Sequence, residues 1–258
     1  MDGNVILITG ALAGIGRATA LAAAKEGYKV VVSGRNGQTG AALESELRAL
    51  GVDAGFIKAD VRNERDVQAL IEETVARFGR LDVAVNNAGT EGTPAPIVDQ
   101  TPDAYAATFE TNVLGVLLCM KHELRVMQPQ GYGSIINISS TMGSRGAPNA
   151  SLYVASKHAV EGLTKTGALE AAAFGVRVNA VAPGPVETGM LDRFTGSPER
   201  KAGLLASIPL RRAGQPEELA DAILYLASGK ASFITGQIVN VNGGRTASQS
   251  QSAQGDLP

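Results

Sequence analysis

A tyrosine and a lysine four residues apart, Tyr153 and Lys157, lie in a segment whose apolar residues recur at helical spacing. On a helix such a pair shares a face, so both side chains can act on one bound molecule. A phenol with an unperturbed pKa near ~10 is a weak base at neutral pH, and a nearby ammonium favours its ionised form. The pair therefore suits proton transfer at an oxygen atom, with Tyr153 as the acid–base group and Lys157 setting its acidity. Two adjacent serines, Ser139 and Ser140, close an apolar run about thirteen positions earlier. Successive strand side chains point to opposite faces, so only one of these hydroxyls can enter the same crevice. His122 and His158 have no carboxylate or cysteine spaced to complete a triad or metal site and are expected at the surface or an interface.

A second cluster suits phosphate. The run Thr9-Gly10-Ala11-Leu12-Ala13-Gly14-Ile15-Gly16 follows the first apolar β-branched segment and leads into an alanine-rich helical one. Glycine at these three positions removes side chains where a turn, a pyrophosphate and a helix start must approach closely. Free backbone N–H groups at the helix start then face the phosphate. Glycines that only permit packing are the competing reading, and the position between a strand and a helix favours the dinucleotide one.

The elements that must hold these residues alternate along the chain. Strand-like runs recur at Val5 to Ile8, Val30 to Val32, Ala54 to Ile57, Val83 to Val85, Ile135 to Ile138, Val176 to Val181 and Ile238 to Val241. Segments such as Ala18 to Glu26, Gly40 to Leu50, Glu64 to Phe78 and Ser151 to Phe174 carry helical periodicity. Unbroken Val/Ile runs suit strands buried on both faces, so the pattern predicts an α/β fold: one doubly wound domain with a seven-stranded parallel sheet covered by helices. That domain is expected over residues 1–244. The interval 184–215 breaks the rhythm with Gly, Pro and charge around a short helical pattern from Pro198 to Ser207. Following the sixth strand, it is expected to be a substrate-side lobe, with surface decoration as the alternative. Residues 245–258, rich in Ser, Gln and Ala, are expected to be a disordered tail.

Composition narrows the partners. A net charge of −2 over 258 residues offers no basic excess for nucleic acid or anionic membranes. Apolar runs stop well short of the ~20 residues of a membrane span, and the start lacks a signal-peptide pattern, so a cytoplasmic location is expected. The single cysteine, Cys119, lies in an apolar helical run and is read as packing.

The glycine turn, spaced Gly-x-x-x-Gly-x-Gly, is followed by Asn86-Asn87-Ala88-Gly89 after the fourth strand and by Tyr153-Val154-Ala155-Ser156-Lys157. With these three motifs in this order, the chain resembles the short-chain dehydrogenase/reductases from Met1 to about Gly244. The resemblance implies a Rossmann-type fold and a nicotinamide-dependent oxidoreductase that interconverts an alcohol and a carbonyl. Hydride would pass between nicotinamide and substrate carbon while Tyr153 gives or takes the proton. By the family's serine-to-tyrosine separation Ser140 is the substrate hydroxyl, with Ser139 the lesser candidate. Lys157 would also bind the nicotinamide ribose. Asn112 resembles the family asparagine that holds a relay water at an irregular helix turn; a buried asparagine satisfying nearby backbone is the alternative.

The same resemblance assigns cofactor contacts to Gly10, Gly14, Ile15, Gly16, Tyr153 and Lys157. It assigns adenine to Asp60 and Val61, with Asn63 capping the following helix. Asn87 and Gly89 would line the adenosine ribose, Asn86 would brace the strands, and Pro183, Gly184, Val186 and Thr188 would orient nicotinamide. No Asp or Glu follows the second strand before Glu44, and Arg35 offers a donor fork for a 2′-phosphate, so NADP(H) is expected over NAD(H). A solvated surface arginine is the other reading. Substrate contacts are expected from Glu91, Met142, Asn149, Glu187 and Met190. Apolar helices at Val113 to Met120 and Ala159 to Leu169 suggest burial against another subunit, and the resemblance implies a homotetramer. The rival from another class is a catalytically idle dinucleotide-binding protein on the same fold.

Overall fold

The computed structural model describes residues 3–247. Its first half runs β1 (Val5–Thr9), α1 (Gly14–Lys25), β2 (Lys29–Gly34), α2 (Gly37–Ala49), β3 (Ala54–Lys58), α3 (Glu64–Phe78) and β4 (Val83–Asn86). The second half runs α4 (Pro102–Phe109), α5 (Gly115–Gln130), β5 (Gly133–Ile138), α6 (Ser151–Ala171) and β6 (Val176–Pro183). It closes with α7 (Gly189–Thr195), α8 (Pro198–Ala206), α9 (Pro216–Ala227) and β7 (Ile238–Val241). The seven strands form one sheet in the order β3-β2-β1-β4-β5-β6-β7. Every pairing is parallel, as the continuous Val/Ile runs predict.

Strand alternation divides the core in two. In β1, Ile6 and Ile8 pack into one cluster with Ala20, Ala23, Leu219 and Ile223 of α1 and α9. Val5 and Leu7 point the other way, into a cluster with Leu70, Met120 and Val160 of α3, α5 and α6. The order reverses between β1 and β4, the place where open α/β sheets form their ligand crevice beyond the strands' carboxyl ends.

The helices are well terminated. Asn63 accepts from the Arg65 N–H at the start of α3, as expected. Cys119 is buried in α5 against Val61, Val67 and Leu118, which fits its reading as packing. His122 departs from expectation: it is buried within the chain, with Nε2 at 3.3 Å from Glu64 Oε1, because its position on α5 turns it toward α3. His158 is exposed. The next residue on α5, Glu123, is fully buried, and its Oε2 accepts from Asn86 Nδ2 at 3.1 Å. Its other oxygen has no protein partner, and burial pushes the carboxyl up to about 8.

Two boundaries differ from the sequence reading. The strand β6 continues to Pro183, which pairs with Val241, a register allowed because the sheet's last strand lies there. Residues 245–247, assigned to the tail, instead form a turn held by Arg245 N–H to Asn242 O at 3.3 Å and Ala247 N–H to Gly244 O at 3.0 Å. The rest of that tail, 248–258, lies outside the described residues.

Candidate active site

Strand β5 delivers the two serines to opposite sides. Ser139 Oγ donates to the buried Glu161 Oε1 at 2.9 Å. Ser140, in extended backbone, turns to the crevice, where its Oγ accepts from the Met142 N–H at 3.2 Å and hydrogen-bonds the Tyr153 side chain. Tyr153 and Lys157 sit one turn apart on α6, with Lys157 Nζ 5.6 Å from the tyrosine ring centroid. That ammonium also donates to Ile138 O at 2.9 Å, which ties it to the end of β5.

The electrostatics correct one expectation. Burial pushes the Tyr153 phenol above its ordinary range, the bond with Ser140 opposes this, and the Glu91 carboxylate adds to it. Burial also lowers Lys157 to about 8, so the lysine's own charge is weakened by the desolvation that acts on the phenol. Desolvation is the largest influence on this phenol, and its shift is opposite in direction to the one that sequence spacing suggested.

Asn112 lies in a π-helical turn, Glu110–Leu114, between α4 and α5, so the irregular turn is present. Its side chain is committed: Oδ1 accepts from the Thr90 N–H at 2.8 Å, and Nδ2 donates to Thr90 O at 2.9 Å and Ser156 Oγ at 3.0 Å. The amide therefore satisfies the Thr90 backbone and the Ser156 hydroxyl, as the alternative reading of this residue expected.

The glycine turn forms a cradle that side chains would fill. Gly10 has φ +62°, and a Cβ on it would lie 2.7 Å from Ala88 Cα. A Cβ on Gly16 would lie 2.5 Å from Asn87 Nδ2 and 2.7 Å from Gly10 O. Asn87 fixes the turn by donating to Thr9 O at 3.0 Å and Gly10 O at 2.9 Å, while Asn86 donates to Glu123 and Asn137. Helix α1 begins at Gly14 behind Ala13, which has no side-chain cap for the first N–H groups. Uncapped donors at a helix N-terminus suit a phosphate.

A crevice beside this turn is lined by Gly10, Arg35, Asp60, Val61 and Gly89. Arg35 is exposed there. The Asp60 carboxylate, expected to be free for a ligand, is instead bound by Arg62, whose Nη2 lies 2.6 Å from Oδ2. The Arg62 bond holds its carboxyl below the usual range. The intervening Val61 turns Arg62 back onto it. This crevice, the uncapped helix and the glycine cradle together fit a dinucleotide.

At Gly89 the crevice meets a second cavity, open to solvent, that collects Ile15, Asn87, Ser140, Tyr153, Lys157, Pro183, Gly184, Val186 and Thr188. Gly14, Gly16 and Asn112 stand behind these walls rather than in them. Of the expected substrate contacts, Glu91, Met142 and Met190 line the cavity. Asn149 and Glu187 do not, and Glu187 pairs with Lys201 at 2.7 Å because α8 carries that lysine over it. Helix α7, capped by Thr188, was not foreseen and contributes Met190, Leu191 and Phe194. Arg245 was also missed; its signal was a position just past the carboxyl end of β7, beside Pro183.

Residues 10–246 match the family described as Enoyl-(Acyl carrier protein) reductase. The chain is 39% identical to a 3beta-hydroxysteroid dehydrogenase of Mediterraneibacter gnavus, over 95% of each. It superposes on NAD+-bound xylitol dehydrogenase with TM-score 0.91 at 34% identity, covering 94% of this chain and 99% of that one. An actinorhodin polyketide ketoreductase variant with NADPH gives TM-score 0.90 at 38% identity, covering 94% and 97%.

Proposed function

This chain belongs to the short-chain dehydrogenase/reductase family and is a nicotinamide-dependent oxidoreductase acting on an alcohol or carbonyl group, and from that premise we propose how its residues divide the work. Tyr153 is the proton-transferring residue, Ser140 polarises the substrate oxygen, and Lys157 positions the cofactor ribose and supports the ionised phenol. The observation that carries this reading is the meeting of all three side chains on one cavity that joins the glycine-turn crevice at Gly89.

A bound nicotinamide supplies or accepts the hydride. The substrate oxygen takes hydrogen bonds from Tyr153 and Ser140, and in reduction the phenol proton passes to that oxygen as the carbonyl becomes a hydroxyl. The raised phenol pKa keeps Tyr153 protonated at neutral pH, so the proton to be delivered in reduction is in place. Gly10, Gly14, Ile15 and Gly16 would hold the pyrophosphate, Val61 the adenine edge, and Pro183, Gly184, Val186 and Thr188 the nicotinamide end. NADP(H) is the preferred cofactor in this proposal, with Arg35 on the 2′-phosphate. Its support is an exposed guanidinium on the crevice wall with no acid on the neighbouring β2 end. The solved relatives hold NAD+ in one case and NADPH in the other. Residues 184–215 act as the substrate lobe, supported by the cavity walls that α7 and α8 provide. A homotetramer is proposed on the apolar side chains that α5 and α6 leave exposed, Leu117 and Leu169. No described helix is long and apolar enough to cross a membrane.

Replacing Tyr153 with Phe tests the assignment. Removing one positioned acid–base group costs ~10²- to 10⁴-fold in rate, so NADPH consumption with a carbonyl panel should nearly cease while NADPH binding persists. Unchanged turnover in Tyr153→Phe refutes the proton-transfer role. Wild-type protein that binds NADPH yet consumes it with no carbonyl favours the idle reading.

A further inference from the structure

The cavity at Tyr153 is walled mainly by apolar side chains, among them Ile138, Met142, Met190, Leu191 and Phe194. Its charged groups are otherwise engaged. Glu91 is paired with Arg193 at 2.5 Å, and Lys157 donates to Ile138 O. Arg245 lines the same cavity, half-buried, and among the described residues no carboxylate lies within ion-pair distance of it. What stands beside it is another cation: Arg145 Nη1 donates to the Arg245 carbonyl oxygen at 3.2 Å. Burial and this like charge both work against the Arg245 guanidinium.

Such an arrangement is unfavourable unless an anion completes it. A guanidinium cannot shed its proton to escape a poorly solvated site, and a cation removed from water is costly without a partner. Yet the residue is held in place. The Gly244 N–H donates to Asn242 Oδ1 at 3.0 Å, and Asn242 Nδ2 donates to Thr246 Oγ1 at 2.7 Å, so the turn carrying Arg245 is fixed against β7. A carboxylate matches the guanidinium fork with two parallel bonds.

We propose that Arg245 binds a carboxylate of the substrate, so that the enzyme acts on hydroxy or oxo acids with an apolar body, the reacting carbon lying at Tyr153 and Ser140. The inference rests on the oxidoreductase reading for the reacting carbon, and on Arg245 alone for the anion. Arg145, exposed at the rim, adds a second positive charge on the approach.

The test pairs 4-oxocyclohexanecarboxylate with its methyl ester in turnover, and unreactive cyclohexanecarboxylate with its methyl ester in binding to the NADPH-loaded protein. Hydrogen bonds to a charged group correspond to about 10- to 100-fold in affinity. The wild type should favour the acid over the ester by that factor, chiefly through KM. Arg245→Met should collapse the acid-to-ester ratio, and Arg245→Lys should retain part of it. A wild-type ratio near one, or a ratio preserved in Arg245→Met, overturns the proposal. So does a rise in NADPH Kd that accounts for the whole effect, since it would put the guanidinium on the cofactor. Preference for the unreactive acid without reduction of any ketone would uphold the anion site while removing the oxidoreductase assignment; reduction with no acid preference would do the reverse.

Discussion

Replacing Glu123 with Gln should flatten the pH dependence of stability. The folded carboxyl, buried beside Asn86, keeps its proton up to about 8, whereas the ordinary value of 4.5 applies once the chain unfolds. Below the lower value both states are protonated and the stability is fully present. Between the two values only the unfolded state releases a proton, so stability falls by about 1.4 kcal/mol per pH unit. Above the upper value the loss levels off. From pH 5.5 to 7.5 this group alone therefore removes about 3 kcal/mol. For a chain of this length that is about 6 to 12 °C in Tm. Gln keeps an oxygen for the Asn86 amide but does not ionise, so Glu123→Gln should lose less stability over the same interval by that amount. Thermal unfolding of both proteins at the two pH values measures it, the remaining groups being common to both. An identical fall in Tm for wild type and variant would refute a neutral, buried Glu123.

Gly16→Ala should weaken NADPH binding at least about tenfold and lower Tm, because the added Cβ meets Gly10 O and Ala11 Cα, which are backbone atoms that cannot swing aside; titration of cofactor fluorescence reads the first effect. Arg35→Ala should reduce the NADPH-to-NADH ratio of kcat/KM by about 10- to 100-fold, the range of a charged hydrogen bond, and an unchanged ratio would return Arg35 to the solvated surface. Ser140→Ala should lower kcat while leaving Tm close to that of the wild type. Ser139→Ala should instead destabilise the protein by about 1 to 3 kcal/mol in chemical unfolding, since it leaves a buried Glu161 oxygen without its donor.

The sheet was legible because its signal is local: β-branched runs buried on both faces read the same in any surrounding. Helix spacing made it legible that Tyr153 and Lys157 share a face, and strand alternation that only one of Ser139 and Ser140 enters the crevice; choosing Ser140 took the family's serine-to-tyrosine separation. What escaped was decided by how side chains fold onto their neighbours, near or distant in sequence. Asp60 looked free until Arg62, two residues on, folded back upon it, and His122 looked superficial although Glu64 at the start of α3 lies over it. The sign of the phenol shift belongs to the same group, because spacing reveals the lysine but not the desolvation around both residues. Arg245 was hidden by composition: three residues of a packed turn precede a Ser/Gln-rich stretch and share its character.

Helix α8 has no fully buried residue, although Leu204 touches the cavity. A segment that contributes so little to the core can detach while the sheet stays intact, at a free energy well below that of global unfolding. Amide protons in 198–206 should then exchange with solvent far sooner than those of β5 or α6. The same looseness frees this stretch to accept substitutions with little effect on folding, so a change of substrate can be acquired there while the parts that hold cofactor and move the proton are left as they are.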